Sequence, residues 1–125
     1  MFAEQHDGRF ALTALSECLR TDIPNSFRSA TLLFTGPLEW ASWGDLLHTV
    51  RTGKTALNHV FGVGAFEYME QHPGEAAVFG EAMAAFTALA AMTLAAAYDF
   101  TSLRTVVDGG GGNGALLIGL LRRYR

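Results

Sequence analysis

The sequence predicts a mainly α-helical chain that ends in the opening strand, loop and helix of an α/β domain. Three observations carry this expectation. Apolar residues recur at steps of three and four in several segments between residues 13 and 98. Pro37 and Pro73 stand where helices can begin, and Gly36, Gly53 and Gly64 stand where they break. Near the carboxyl end, Val106-Val107-Asp108 runs into Gly109-Gly110-Gly111-Gly112-Asn113-Gly114 and then an apolar helix start, an arrangement that suits a nucleotide-like cofactor.

Taken in order, residues 8–13 read as the second strand of a small hairpin, with Asp7-Gly8 as its turn. Thr13 is a suitable cap for a short helix carrying Leu15, Cys18 and Leu19 and ending near Arg20. A second helix is expected from residue 25 or 26 to about 34, with Phe27, Ala30 and Leu33 or Phe34 on one face. Pro37 opens a third, running to Gly53, whose apolar stripe is Trp40, Trp43, Leu47 and Val50. Residues 58–64 read as a loop and 65–71 as a short helical turn. Pro73 then starts the longest helix, about 74–98, with Phe79, Met83, Phe86, Ala90, Thr93 and Ala97 on one face. Its other side is largely alanine, so cover on more than one face is expected. Residues 103–108 read as a buried strand, and a helix follows from 115 to about 124.

Composition narrows the function classes. Half of the 125 residues are hydrophobic and 17% are charged, against about 25% in an average domain, as a subunit interface or a cut domain would require. The net charge of -3 and a single lysine, Lys54, exclude a polyanion-binding surface, so no nucleic-acid partner is expected. The only basic cluster is Arg122, Arg123 and Arg125, suited to a helix carboxyl end. Cys18 is alone and no basic-then-apolar leader opens the chain, which makes a cytoplasmic location the expectation. The uncharged stretch 82–98 is shorter than a bilayer span of ~20 apolar residues and reads as a buried helix, with no membrane partner.

In the glycine loop, Gly110, Gly112 and Gly114 alternate, removing a Cβ wherever the backbone turns sharply or approaches a ligand. Asp108 precedes the loop at the end of the expected strand, where open parallel sheets bind ligands. The spacing departs from the dinucleotide form G-x-G-x-x-G, because Gly114 follows Gly112 by two residues.

The run 106–114 closely resembles the V-D-V-G-G-G-T-G motif of the S-adenosylmethionine-dependent O-methyltransferases of the plant caffeate and bacterial hydroxyindole type. Other segments match in the same order. Residues 8–13 resemble the family's G-R-Y-x-L-T, and Trp43, Leu46-Leu47 and Arg51-Thr52-Gly53 resemble its W-x-x-L-x-x-x-v-r-t-G helix. Ala65-Phe66-Glu67-Tyr68 and Phe79-Gly80-Glu81-Ala82-Met83 resemble its F-x-Y and F-N-x-x-M segments. Within the motif Gly109 replaces an apolar residue and Asn113 a threonine, and Arg125 stands where the family commonly has proline.

The resemblance implies a remnant, truncated at both ends. Residues 1–35 would end a winged-helix-like dimerisation domain, 36–100 would line an acceptor pocket and dimer interface, and 101–125 would begin a Rossmann-like cofactor domain. It implies S-adenosyl-L-methionine as cofactor, held by Asp108, Gly110, Gly111, Gly112 and Gly114. It also implies a small hydroxylated, aromatic acceptor against Phe66, Phe79 and Met83, and a homodimer. Core packing is the alternative role for those three side chains. The family's ribose-binding acid and its histidine base are expected beyond Arg125, so no catalytic residue is assigned and the chain alone is expected to be inactive. His6 belongs to the hairpin, His59 to a loop, His72 to a helix boundary, and Asp45 with His48 to an i,i+3 surface pair. No Cys/His spacing indicates a metal site. Two alternatives stay open: a non-catalytic helical dimerisation module with a relic loop, and the start of a nicotinamide-binding domain.

Overall fold

A computed structural model describes residues 1–24 and 26–124. Among the described residues the chain forms one two-stranded hairpin and eight helices, so it is mainly helical. Strands β1 (Ala3–Glu4) and β2 (Phe10–Ala11) pair antiparallel, with Ala3 opposite Ala11 and Glu4 opposite Phe10. Gly8 turns the hairpin at φ 78°, a left-handed conformation that the Asp7-Gly8 signal anticipates.

Helix α1 (Ala14–Glu17) is a single turn, because a reciprocal cap starts it and nothing apolar sustains it. The Ser16 amide donates to Thr13 Oγ1, and the Thr13 amide donates to Ser16 Oγ at 2.7 Å. The Thr13 hydroxyl also donates to the Met1 carbonyl, tying the hairpin's first strand to the helix start. The helix stops short of Arg20, and Leu15 and Cys18 are exposed while Ser16 is buried. Arg20 reaches both Glu17 (2.9 Å) and Asp22 (2.6 Å), and its guanidinium holds the Asp22 carboxyl below the ordinary range.

Helix α2 (Arg28–Thr35) buries Ala30 and Leu33, as its spacing predicts. The expected start at Asn25 lies outside the described residues, as does Arg125. The single helix expected from Pro37 to Gly53 is two, α3 (Pro37–Gly44) and α4 (Leu46–Thr52), divided at Asp45. Gly44 ends the first and Asp45 departs from helical dihedrals at φ -101°, ψ 19°. The stripe Trp40, Trp43, Leu47 and Val50 is exposed, and Leu38 is the residue of α3 that packs inside. Residues 58–61, the first part of the expected loop, belong instead to α5 (Ala56–Phe61). Thr55 caps it through the Asn58 amide and Gly62 closes it at φ 75°, so two local signals outweighed the β-branched residues. Helix α6 (Ala65–Gln71) follows as expected.

Helix α7 (Pro73–Ala97) is the spine on which α2, α6 and α8 (Ala115–Arg123) pack. Its buried residues are Ala82, Ala91 and Ala95, not the Phe79–Phe86 face that the sequence put inward. The reason is geometric: a Cβ on Gly119 of α8 would lie 2.8 Å from the Ala91 Cβ, so α7 and α8 approach through their smallest residues. The expectation of a buried helix is corrected too, since Leu89 and Met92 are about two-thirds exposed. By length and composition α7 could cross a membrane, a test that the core helix of a water-soluble protein also passes.

The Tyr124 hydroxyl lies 2.9 Å from the Ala95 carbonyl and 3.0 Å from that of Tyr98, fastening the end of α8 to the end of α7. Phe100 packs between these two tyrosines, 4.8 Å from one ring and 5.6 Å from the other. Tyr124→Phe removes the donor while keeping the ring, so a loss of about 1 kcal/mol is expected in a denaturant titration. Residues 103–108 form no strand and pair with none among the described residues, and Arg104 is a bend. This corrects the buried strand: Val107 is 84% exposed, and a strand needs a sheet neighbour that the described residues do not supply.

Candidate functional site

The glycine loop links residues 103–108 to α8, and its backbone explains its composition. Gly110, Gly112 and Gly114 take φ values of 79°, 55° and 78°, a region that costs an L-residue roughly 1 to 2 kcal/mol. Gly111 is required for a different reason. A Cβ there would fall 2.7 Å from Asp108 Oδ2, because the Asp108 side chain folds across the loop. The Gly114 amide donates to the Gly111 carbonyl (2.8 Å) and the Ala115 amide to Asn113 Oδ1 (3.2 Å), which turns the chain into α8. Asn113 thus satisfies the first amide of α8, and Gly114 at the cap position adds no side chain to this amino-terminal end beside the glycine cradle.

The loop faces α6 and α7 across a cavity of about 580 Å³. Asp108, Gly110, Gly111 and Gly112 line one side, and Phe66, Phe79 and Met83 the other. Seven of the eight residues singled out in the sequence therefore meet at one cavity. Gly114 is the exception, shaping the turn into α8 without lining the space. Phe79 and Met83 are half-buried, and Phe66 is 77% exposed. Core packing remains the alternative role for Phe79 and Met83, whose face of α7 also carries Phe86 against Phe34 of α2, with ring centroids 6.1 Å apart. Gly80, Ala84 and Thr87 of α7, with Asn113 and Leu116, complete the lining. The three α7 residues could have been found by extending the Phe79–Met83 face in steps of four and three.

The arrangement suits a ligand with an apolar, flat part and a polar part. Aromatic and thioether side chains offer one wall, while the loop supplies backbone without side-chain bulk and Asp108 an acceptor. Positive φ at three glycines lets the backbone pass close to that ligand, so the residues fit a nucleoside-bearing cofactor.

The histidines are arranged differently from expectation. Asp45 does not pair with His48; its Oδ2 lies 2.7 Å from Nδ1 of His59, and the His48 ring stacks on His59 with centroids 3.8 Å apart. The cause is the unforeseen helix α5, which carries His59 back against α4. His72 is where the sequence put it, between α6 and α7, its Nδ1 2.8 Å from the Tyr68 carbonyl and its ring stacked on Tyr68.

Comparison with known proteins agrees with this geometry. The chain is 39% identical over 122 residues to the phenazine O-methyltransferase PhzM of Lysobacter antibioticus, covering 98% of this chain and 36% of that protein. It superimposes on the crystal structure of LaPhzM with a TM-score of 0.90 at 39% identity, over 98% of this chain and 37% of the other. The neocarzinostatin-biosynthesis O-methyltransferase NcsB1, solved with S-adenosyl-L-homocysteine and 1,4-dihydroxy-2-naphthoic acid, matches with a TM-score of 0.75 at 31% identity, over 98% and 38%. The chain thus spans little more than a third of the length of these relatives. The O-methyltransferase domain family itself matches residues 43–125, which include both walls of the cavity. The chain belongs to the O-methyltransferase domain family.

Proposed function

We propose that this chain contributes the first cofactor loop and part of the acceptor pocket of an S-adenosyl-L-methionine-dependent O-methyltransferase acting on a small, hydroxylated aromatic compound. The observation that carries the reading is the single cavity shared by the glycine loop and the Phe66, Phe79 and Met83 wall. When bound, S-adenosyl-L-methionine supplies a methyl group on a sulfonium centre, open to in-line attack by an acceptor oxygen. This chain's residues position the two reactants. Gly110, Gly111 and Gly112 bring backbone against the cofactor, with Gly114 setting the turn and Asp108 available to accept a hydrogen bond from it. Phe66, Phe79 and Met83 hold the aromatic acceptor and exclude water, so that alignment accounts for much of the rate. The base that takes the hydroxyl proton is assigned to none of the described residues.

Within this reading, residues 1–35 end a winged-helix-like dimerisation domain, 36–100 form the helical pocket and dimer region, and 101–125 open the Rossmann-like domain. The exposed stripe Trp40, Trp43, Leu47 and Val50 supports a homodimer, because so large an apolar face is stable in water only when covered. A cytoplasmic location is consistent with Cys18 as an exposed free thiol. Calorimetric titration of the chain with S-adenosyl-L-methionine and with NAD tests the reading. Heat of binding with S-adenosyl-L-methionine alone is expected. A response to NAD alone overturns the reading, and a response to neither favours a helical dimerisation module that keeps the loop without its ligand.

A further inference from the structure

Outside the glycine-loop cavity, one cluster of ligand-type side chains stands apart from everything assigned above. Asp45 at the α3–α4 junction, His48 on α4 and His59 on α5 place a carboxylate oxygen and two imidazole nitrogens within 4.8 Å of one another. We propose that these three residues form a binding site for a zinc-class divalent ion that staples α4 to α5.

The donor set selects the ion. Two neutral imidazoles and one carboxylate suit zinc, nickel or copper, whereas magnesium and calcium prefer shells made of oxygen. Three protein ligands leave a coordination position for water, as in sites that are not purely structural cages. The hydrogen bond between Asp45 and His59 accounts for only two of the three side chains. Among the described residues no hydrogen bond engages the His48 ring, yet it lies parallel to the His59 ring, with an interplanar angle of 2°. In the parallel stack the in-plane lone pairs do not converge, so binding would require at least one imidazole to turn out of the stack toward the ion. The 56% exposure of the His59 side chain leaves room for that turn and an entry path.

The backbone holds the donors in range without the ion. Gly53 reverses the chain at φ 70°, and the Ala56 amide donates to Thr49 Oγ1 at 2.9 Å, closing α5 onto α4. Coordination would therefore lock a turn that is already formed.

Titration calorimetry of the 125-residue chain with zinc chloride, and separately with magnesium chloride, tests the proposal. One zinc equivalent is expected to bind, with no magnesium response. His48→Gln and His59→Gln should each weaken zinc at least tenfold while far-UV circular dichroism stays unchanged. Cys18→Ser and His6→Gln, which remove unrelated donors, should leave the affinity as it was. Because a substitution at α4 or α5 could disturb folding, the unsubstituted chain is also read by NMR. Zinc should move the ring resonances of His48 and His59 and leave those of His6 and His72 in place. Absence of zinc binding, zinc binding that survives both glutamine variants, or shifts confined to His6 and His72 would each overturn the site.

Discussion

Gly119→Leu is expected to lower the melting temperature of this chain by about 10 °C. A Cβ at position 119 already falls 2.8 Å from the Ala91 Cβ, inside van der Waals contact, and three further carbons have to follow it. Ala91 is only 3% exposed and belongs to the packed face of α7, so the helices must separate to admit the side chain. Overpacking of this kind costs roughly 1 to 3 kcal/mol. In domains of 60 to 100 residues, one kcal/mol moves the melting temperature by roughly 4 to 8 °C. Gly80→Ala gives the contrast. Gly80 lies within α7, and nothing stands within 4 Å of a Cβ there. Alanine should therefore stabilise the chain by about 0.5 to 1 kcal/mol, through helix propensity. Differential scanning calorimetry on the two variants should show shifts of opposite sign; equal shifts would refute close packing at Gly119.

Gly110→Val is expected to weaken S-adenosyl-L-methionine binding about tenfold or more. Gly110 lines the cavity at φ 79°, and a β-branched residue tolerates that region worst. Nothing within 4 Å obstructs a Cβ at Gly110, so the substituted loop can still be accommodated by turning to negative φ. Binding then requires the strained form to be restored, and roughly 1 to 2 kcal/mol of strain corresponds to a loss of five- to thirtyfold. Gly109→Val separates this effect from general damage to the loop. Gly109 has no positive φ, its added Cβ would meet nothing within 4 Å, and it does not line the cavity. Its replacement should leave the affinity within a factor of two, measured in the same calorimetric titration. Equal losses at both positions would show that the backbone conformation of Gly110 is not what binding depends on.

How much of this was legible in the sequence depends on the range of the force involved. Signals acting within one turn were read correctly: the Asp7-Gly8 hairpin, the Thr13 cap, the starts at Pro37 and Pro73, and the glycine loop before α8. The cavity was legible through motif order, since all the residues chosen for cofactor and acceptor except Gly114 line one space. Facing was misread on α7. Periodicity weighs hydrophobicity, whereas the α7–α8 contact selects for smallness, and alanine and glycine score poorly as core markers. Helix α5 was missed because Val60 and the neighbouring glycines spoke for a loop, although Thr55 and Gly62 form a complete pair of caps. Missing α5 hid the Asp45–His59 contact as well, because only that helix returns His59 to α4. The strand at 103–108 failed for another reason: a strand needs a partner, and no local pattern can supply one.

That segment has a further consequence. Its two ends are fixed, one by the Tyr98, Phe100 and Tyr124 cluster and the other by the turn into α8. Between them the backbone pairs with no strand among the described residues. A segment tethered at both ends has less conformational entropy to lose than a free one when a second strand joins it. The same tethering that readies residues 103–108 to enter a sheet also offers them to another copy of the chain: what arrives first, a proper neighbour or that copy, decides between assembly and aggregate.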